Sequence, residues 1–218
     1  MGQHISKSGS KSGVKRYKGG RLNPADILNE RDMFEDPESF DADGRARQQV
    51  SEAMTVLQDM LTDYEKAGLN TGFMISELKP NSGVLGYYDG SNIAINQEYF
   101  NDAMNEAYQE CVKMGFHPKS GSKSGTEAVL AHEFGHAIND AAARKLGLSL
   151  DQAATQIVNE ARKGTKHRGV VQMAAAISTY ATSSNAETIA EAVSDVYCNG
   201  KRATAESRAI VDVLRKYL

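Results

Sequence analysis

The chain has 218 residues and a formal net charge of −3, enough for one domain with a proper core and without the basic excess that points to nucleic acid. Apolar residues make up 40% and charged residues 24%, an ordinary globular balance, with no apolar run approaching a membrane span. Two cysteines, Cys111 and Cys198, are too few for a disulfide framework and read as buried free thiols.

Residues 1 to 21 carry Lys7, Lys11, Lys15, Arg16, Lys18 and Arg21 among Gly and Ser, with no acidic residue, and read as a flexible basic tail. They lack the apolar stretch of a secretory signal, leaving a cytoplasmic, phage-particle or non-classically exported location open. The heptapeptide Lys7–Gly13 recurs as Lys119–Gly125, and both copies read as solvated low-complexity segments. Residues 24–44 look like an irregular acidic connector around Pro24 and Pro37. Val50, Met54, Leu57, Leu61 and Tyr64 then follow helical steps, giving a helix over 45–67 with Gly68 as its stop. The connector and this helix form a 22–68 unit before a domain spanning 69–218.

The pattern shortens at 73–78, a strand, followed by a turn at Pro80–Gly83. Val84–Tyr88 and Ile93–Asn96 flank Asp89-Gly90-Ser91-Asn92 and read as a hairpin. Beyond residue 97 helices are expected at about 100–114, 126–146, 151–163, 169–182, 185–198 and 203–217. The fold class is therefore α+β, a small antiparallel sheet packed with helices.

The helix over 126–146 contains His132-Glu133-Phe134-Gly135-His136, a His-Glu-x-x-His motif. Residues four apart share a helix face, so both imidazoles reach one ion. Neutral imidazole suits zinc, which brings the pKa of bound water toward about 7. Glu133, on a neighbouring flank, then serves as general base for attack of that water on a peptide carbonyl.

A catalytic zinc site needs a third protein ligand. Glu187, Glu191 and Asp195 are spaced by four along the helix over 185–198, with Ser184 or Asn185 as cap. Like charges stacked this way repel, so a cationic partner opposite them is expected. Two registers fit the spacing: Glu187 binds and Glu191 orients a ligand histidine, or Glu191 binds and Asp195 orients.

His132-Glu133-Phe134-Gly135-His136-Ala137 with Tyr180, Glu187 and Glu191 resembles the zincins related to anthrax lethal factor and the Pro-Pro endopeptidases. That family's pattern is His-Glu-x-x-His, then Tyr, six residues, Glu, three residues, Glu. The likeness covers roughly residues 84–200, and similar domains occur in phage head proteins and polymorphic toxins. It implies a zincin-like fold with Zn2+ between the motif helix and the later Glu-bearing helix. It also implies that His132, His136 and Glu187 bind zinc, that Glu191 orients a ligand histidine, and that Tyr180 faces the substrate oxygen. Glu191-Ala192-Val193-Ser194-Asp195 also resembles a segment of thermolysin-like enzymes, which keeps the second register open.

The expected activity is zinc-dependent endopeptidase, with a protein or peptide substrate lying along the sheet edge at Val84–Tyr88 or Ile93–Asn96. The alternatives are a catalytically idle, metal-stabilised module of a phage particle and a toxin effector protease. Gly86 suits close approach of another backbone or a bulge, and alternation lets one of Tyr87 and Tyr88 face the cleft. His117 and His167 read as surface histidines outside the site. Asp140 is either a partner for His136 or a surface acid, and the 116–125 loop a lid.

Overall fold

The computed structural model of the protein describes residues 15–16, 45–69, 71–76, 82–96, 99 and 102–218. The first heptapeptide copy, the 24–44 connector and the Pro80–Asn81 half of the expected turn lie outside them.

Helix α1 (Arg45–Asp63) runs into a 3-10 turn at Glu65–Ala67, and Gly68, at φ 62°, ends it. A left-handed residue at this position is the usual way a helix terminates, and glycine adopts it without a Cβ penalty. Ala53, Val56, Leu57 and Met60 on α1 are buried in the same core as the later helices, so α1 is continuous with the rest of the fold.

Strands β1 (Lys15–Arg16), β2 (Gly72–Ser76), β3 (Gly86–Tyr88) and β4 (Asn92–Asn96) form a sheet in the order β1-β2-β4-β3. The hairpin is present, with Tyr88 opposite Ile93 and Gly86 opposite Ile95. The sheet is mixed rather than wholly antiparallel, because β2 pairs with β4 in parallel, Phe73 opposite Ile93 and Ile75 opposite Ile95. Ile93, Ala94 and Ile95 are all fully buried, as expected of a strand with neighbours on both sides. Residue alternation reports which face of a strand is apolar, not which strand lies beside it.

The helices that follow are α2 (Asp102–Lys113), α3 (Gly125–Leu146), α4 (Leu150–Lys163), α5 (Val170–Ala175), α6 (Asn185–Asn199) and α7 (Ala205–Lys216). No described helix is long and apolar enough to cross a membrane. The helix expected over 169–182 stops early at Ala175, and Tyr180–Ser183 forms a separate 3-10 turn. Thr179 N–H and Tyr180 N–H donate to the carbonyls of Gly115 and Phe116 at 2.9 and 3.1 Å instead of continuing a helix ladder.

The Lys119–Gly125 segment is ordered rather than a solvated linker. Ser124 caps α3 with a reciprocal bond to Glu127, Ser120 is buried, and the Lys119 carbonyl accepts from Asn199 Nδ2 at 2.6 Å. The start of the same loop is held as well, since Tyr108 Oη donates to the Pro118 carbonyl at 2.9 Å.

Helix α3 is buried nearly all round, with Leu130, Phe134 and Ile138 in the core. Its most extensive neighbour is α6. A Cβ built on Gly135 would meet Ala190 Cα at 2.5 Å, so the two backbones touch where only glycine fits. Gly135→Ala is therefore expected to force the helices apart and destabilise the fold by about 1–3 kcal/mol, the usual overpacking cost. Urea denaturation of the variant beside the native chain measures this, and an unchanged midpoint would refute it.

Candidate metal centre

Three side chains converge where α3 faces α6. Glu187 Oε2 lies 3.1 Å from His132 Nε2 and 3.5 Å from His136 Nε2. His132 and His136 face each other edge to face, their ring centroids 5.0 Å apart. The three form a group able to hold a metal ion. Ligand atoms at about 2.0–2.1 Å from a tetrahedral ion would stand about 3.4 Å from one another, the spacing seen here.

The chemistry of the donor set agrees. Glu187 Oε2 is buried and has no hydrogen-bond partner among the described residues, although two imidazoles stand beside it. The two imidazoles thus face this oxygen without an aligned hydrogen bond, an arrangement that a cation between the three atoms would complete. Helix α6 places Glu187 in its first turn, behind the Ser184 cap, whose Oγ accepts from the Glu187 N–H at 3.1 Å.

Glu191, one turn on, is buried behind the histidines. Its Oε2 accepts from Ser178 Oγ at 2.7 Å and its Oε1 pairs with His117 Nδ1 at 2.8 Å. Oε1 also lies 2.8 Å from His132 Nδ1, a close charge approach rather than an aligned hydrogen bond. Asp195 takes no part: it accepts from Asn199 Nδ2 and the Thr204 N–H at 2.9 Å and from Thr204 Oγ1 at 3.1 Å, tying α6 to the start of α7. This geometry favours the register with Glu187 at the ion and Glu191 behind it.

Glu133 is buried beside the cluster, and its Cγ lies 3.5 Å from where a Gly86 Cβ would stand. The same Cβ would meet Val129 Cγ1 at 3.0 Å and the Ala94 carbonyl at 2.9 Å. Gly86 is thus small because α3 and β4 press on it. Burial raises the Glu133 carboxyl above the ordinary range, against the lowering pull of both histidines. Tyr180 lies face to face with His132, centroids 5.8 Å apart, and its phenol is raised by burial and by the nearby Glu187 and Glu133 charges.

His117, expected to be a surface residue, is in the cluster. Its ring stacks on Tyr108 at 5.4 Å and meets Phe116 and Tyr180 edge-on. Its contact with Glu191 spans 74 positions of chain, and no local spacing announces it. Ser178 was likewise invisible in the sequence. His167, also expected at the surface, is partly buried and paired with Glu206 at 2.7 Å. Asp140 does not orient His136 by any observed contact; it accepts from Tyr88 Oη at 3.1 Å and pairs with Arg144. Cys111 and Cys198 are free thiols, Cys198 buried and Cys111 partly so.

No protein-family model matches the chain, and no significant match emerges among curated proteins or solved structures.

Two outcomes follow from this geometry. Glu187→Gln is expected to weaken metal binding, by about 10-fold or more for the loss of a charged ligand. Asp195→Asn is expected to leave metal affinity unchanged while costing about 1–3 kcal/mol through its broken hydrogen bonds. Titration with a competing chelator, beside thermal melting, separates the two.

A further outcome concerns pH in the metal-free protein. Burial alone would raise Glu187 and Glu191, but the histidines outweigh it and hold both carboxyls well below the usual range. Their contribution to stability is present above the ordinary glutamate value of about 4.3 and is lost as pH falls below it. Burial alone would lower His132, but Glu187 and Glu191 hold it well above the ordinary value. Its contribution is full below about pH 6.5 and is lost as pH rises toward the raised folded value. Melting of the metal-free protein should therefore peak between about pH 4.5 and 6.5. A melting temperature that keeps rising to pH 9 would contradict this.

Proposed function

We propose that the chain is a zinc-dependent endopeptidase. The observation that carries this reading is the buried Glu187 Oε2, without an aligned hydrogen bond, set between His132 Nε2 and His136 Nε2. The resemblance of His132–Ala137, Tyr180, Glu187 and Glu191 to the lethal factor and Pro-Pro endopeptidase zincins supports it from the sequence. Two imidazoles and one carboxylate are the donors that suit zinc, and they leave a position free.

His132, His136 and Glu187 would hold the ion, which when bound acidifies water and polarises a carbonyl oxygen. The protein supplies the rest. Glu133, with its carboxyl raised by burial, removes a proton from the attacking water and delivers it to the leaving amine. Tyr180, its phenol kept protonated, donates a hydrogen bond to the oxyanion that develops on the attacked carbonyl.

Substrate backbone would pair with β3, one of the two end strands of the described sheet, whose Gly86 lies against Val129 and Glu133 of α3. Strand β4 cannot take that part because β2 and β3 flank it. The same chemistry would serve a phage-particle protease or a toxin effector, and a toxicity assay of the native chain beside a Glu133 variant tells a toxin role apart.

Incubating the zinc-loaded protein with a mixed peptide library, read by mass spectrometry, tests the activity. Cuts are expected from the native chain; Glu133→Gln should lower the rate by about 10²–10⁴-fold and Tyr180→Phe by about 10²–10³-fold, mainly in kcat. Equal cleavage by the native chain and Glu133→Gln would refute the mechanism.

A further inference from the structure

We propose that His117 is a positioning residue of the metal centre: it holds Glu191 against His132 Nδ1, so that His132 Nε2 faces the point where His136 and Glu187 converge. The inference rests on the metal-centre reading above and adds a residue that neither the motif nor its spacing contains.

Glu191 is 1% exposed, and a carboxylate buried that deeply stays where its donors hold it. Two aligned hydrogen bonds do so, from Ser178 Oγ and from His117 Nδ1. The contact with His132 is not aligned and therefore does not itself fix Glu191. Causation thus runs from His117 and Ser178 to Glu191, and from Glu191 to His132. A carboxylate oxygen 2.8 Å from His132 Nδ1 favours the proton on that nitrogen and leaves the lone pair of Nε2 for a metal.

His117 is itself immobilised. Its ring lies within 5° of parallel to Tyr108, and Tyr108 Oη donates to the carbonyl of the next residue, Pro118. The preceding carbonyls, of Gly115 and Phe116, accept from the backbone of Thr179 and Tyr180. The donor is therefore fastened to the same turn that presents Tyr180.

A packing role and a positioning role for His117 make opposite demands on replacements. His117→Phe keeps a flat ring against Tyr108 but has no donor. His117→Asn sacrifices ring area but offers an N–H near the place of Nδ1. Zinc affinity is measured by chelator competition on native and variant proteins, with the visible spectrum of the Co2+ form as a second readout. His117→Phe is expected to bind zinc about 10-fold more weakly with an altered Co2+ spectrum, and His117→Asn to recover most of the affinity.

Should His117→Phe fail to fold, His117→Gln replaces it. Its amide nitrogen reaches the place of Nε2, so it should bind more weakly than His117→Asn. Native-like affinity in the donor-less variant, or equal loss in His117→Asn, would overturn the proposal while leaving the metal centre intact. Absence of zinc binding by the native chain would instead refute the metal centre itself, and this inference with it.

Discussion

The site depends on one contact, the approach of α3 to α6 at Gly135 and Ala190. Side chains of the two helices can share an ion only if the backbones stand close, and here a single Cβ on Gly135 would collide with the facing chain. Small residues prepare that approach on both helices, Ala128, Ala131 and Gly135 on one and Ala186 and Ala190 on the other. The glycine in the middle of the His-Glu-x-x-His segment is thus as structural as the histidines around it are chemical. Helix propensity disfavours glycine there by about 1 kcal/mol, a penalty offset by the packing it permits.

Burying so much charge is a second constraint on the fold. Glu133, Glu191 and His132 are all nearly inaccessible, and each would be expensive there without a partner. The arrangement spreads the cost. Glu191 is satisfied by Ser178 and His117, Glu133 keeps its proton more readily than an ordinary carboxyl, and His132 is stabilised by the acids on both sides. Glu187 Oε2 faces both ligand histidines without an aligned hydrogen bond and is the atom best placed to meet a cation.

Local features of this architecture were legible in the sequence because they have local causes. The helix end at Gly68 and the hairpin around Asp89–Asn92 follow from turn and cap chemistry within a few residues. The four-residue spacing of the histidines and acids follows from the helical repeat. What could not be read came from distant chain. The parallel pairing of β2 with β4 depends on strand neighbours, and the break in the 169–182 helix depends on Gly115 and Phe116 accepting hydrogen bonds that a helix would have kept. His117 reaches Glu191 across the fold and leaves no periodic trace. The Lys119–Gly125 segment misled for another reason: its composition is that of a linker, yet Ser124-Gly125-Thr126-Glu127 is a capping box, a signal present in the letters and outweighed by their bias.

Strand β3 is three residues long and, like β1, stands at an end of the described sheet. At about 3.3 Å per residue it offers roughly 10 Å of backbone, room for a short stretch of an incoming chain and little else. An exposed edge is also a place where proteins stick to copies of themselves, and brevity is one of the ways natural sheets avoid this. The same few residues that would let an extended peptide dock thus give another sheet too little purchase to add to this one. A strand this short can stand beside a buried carboxylate without inviting aggregation there.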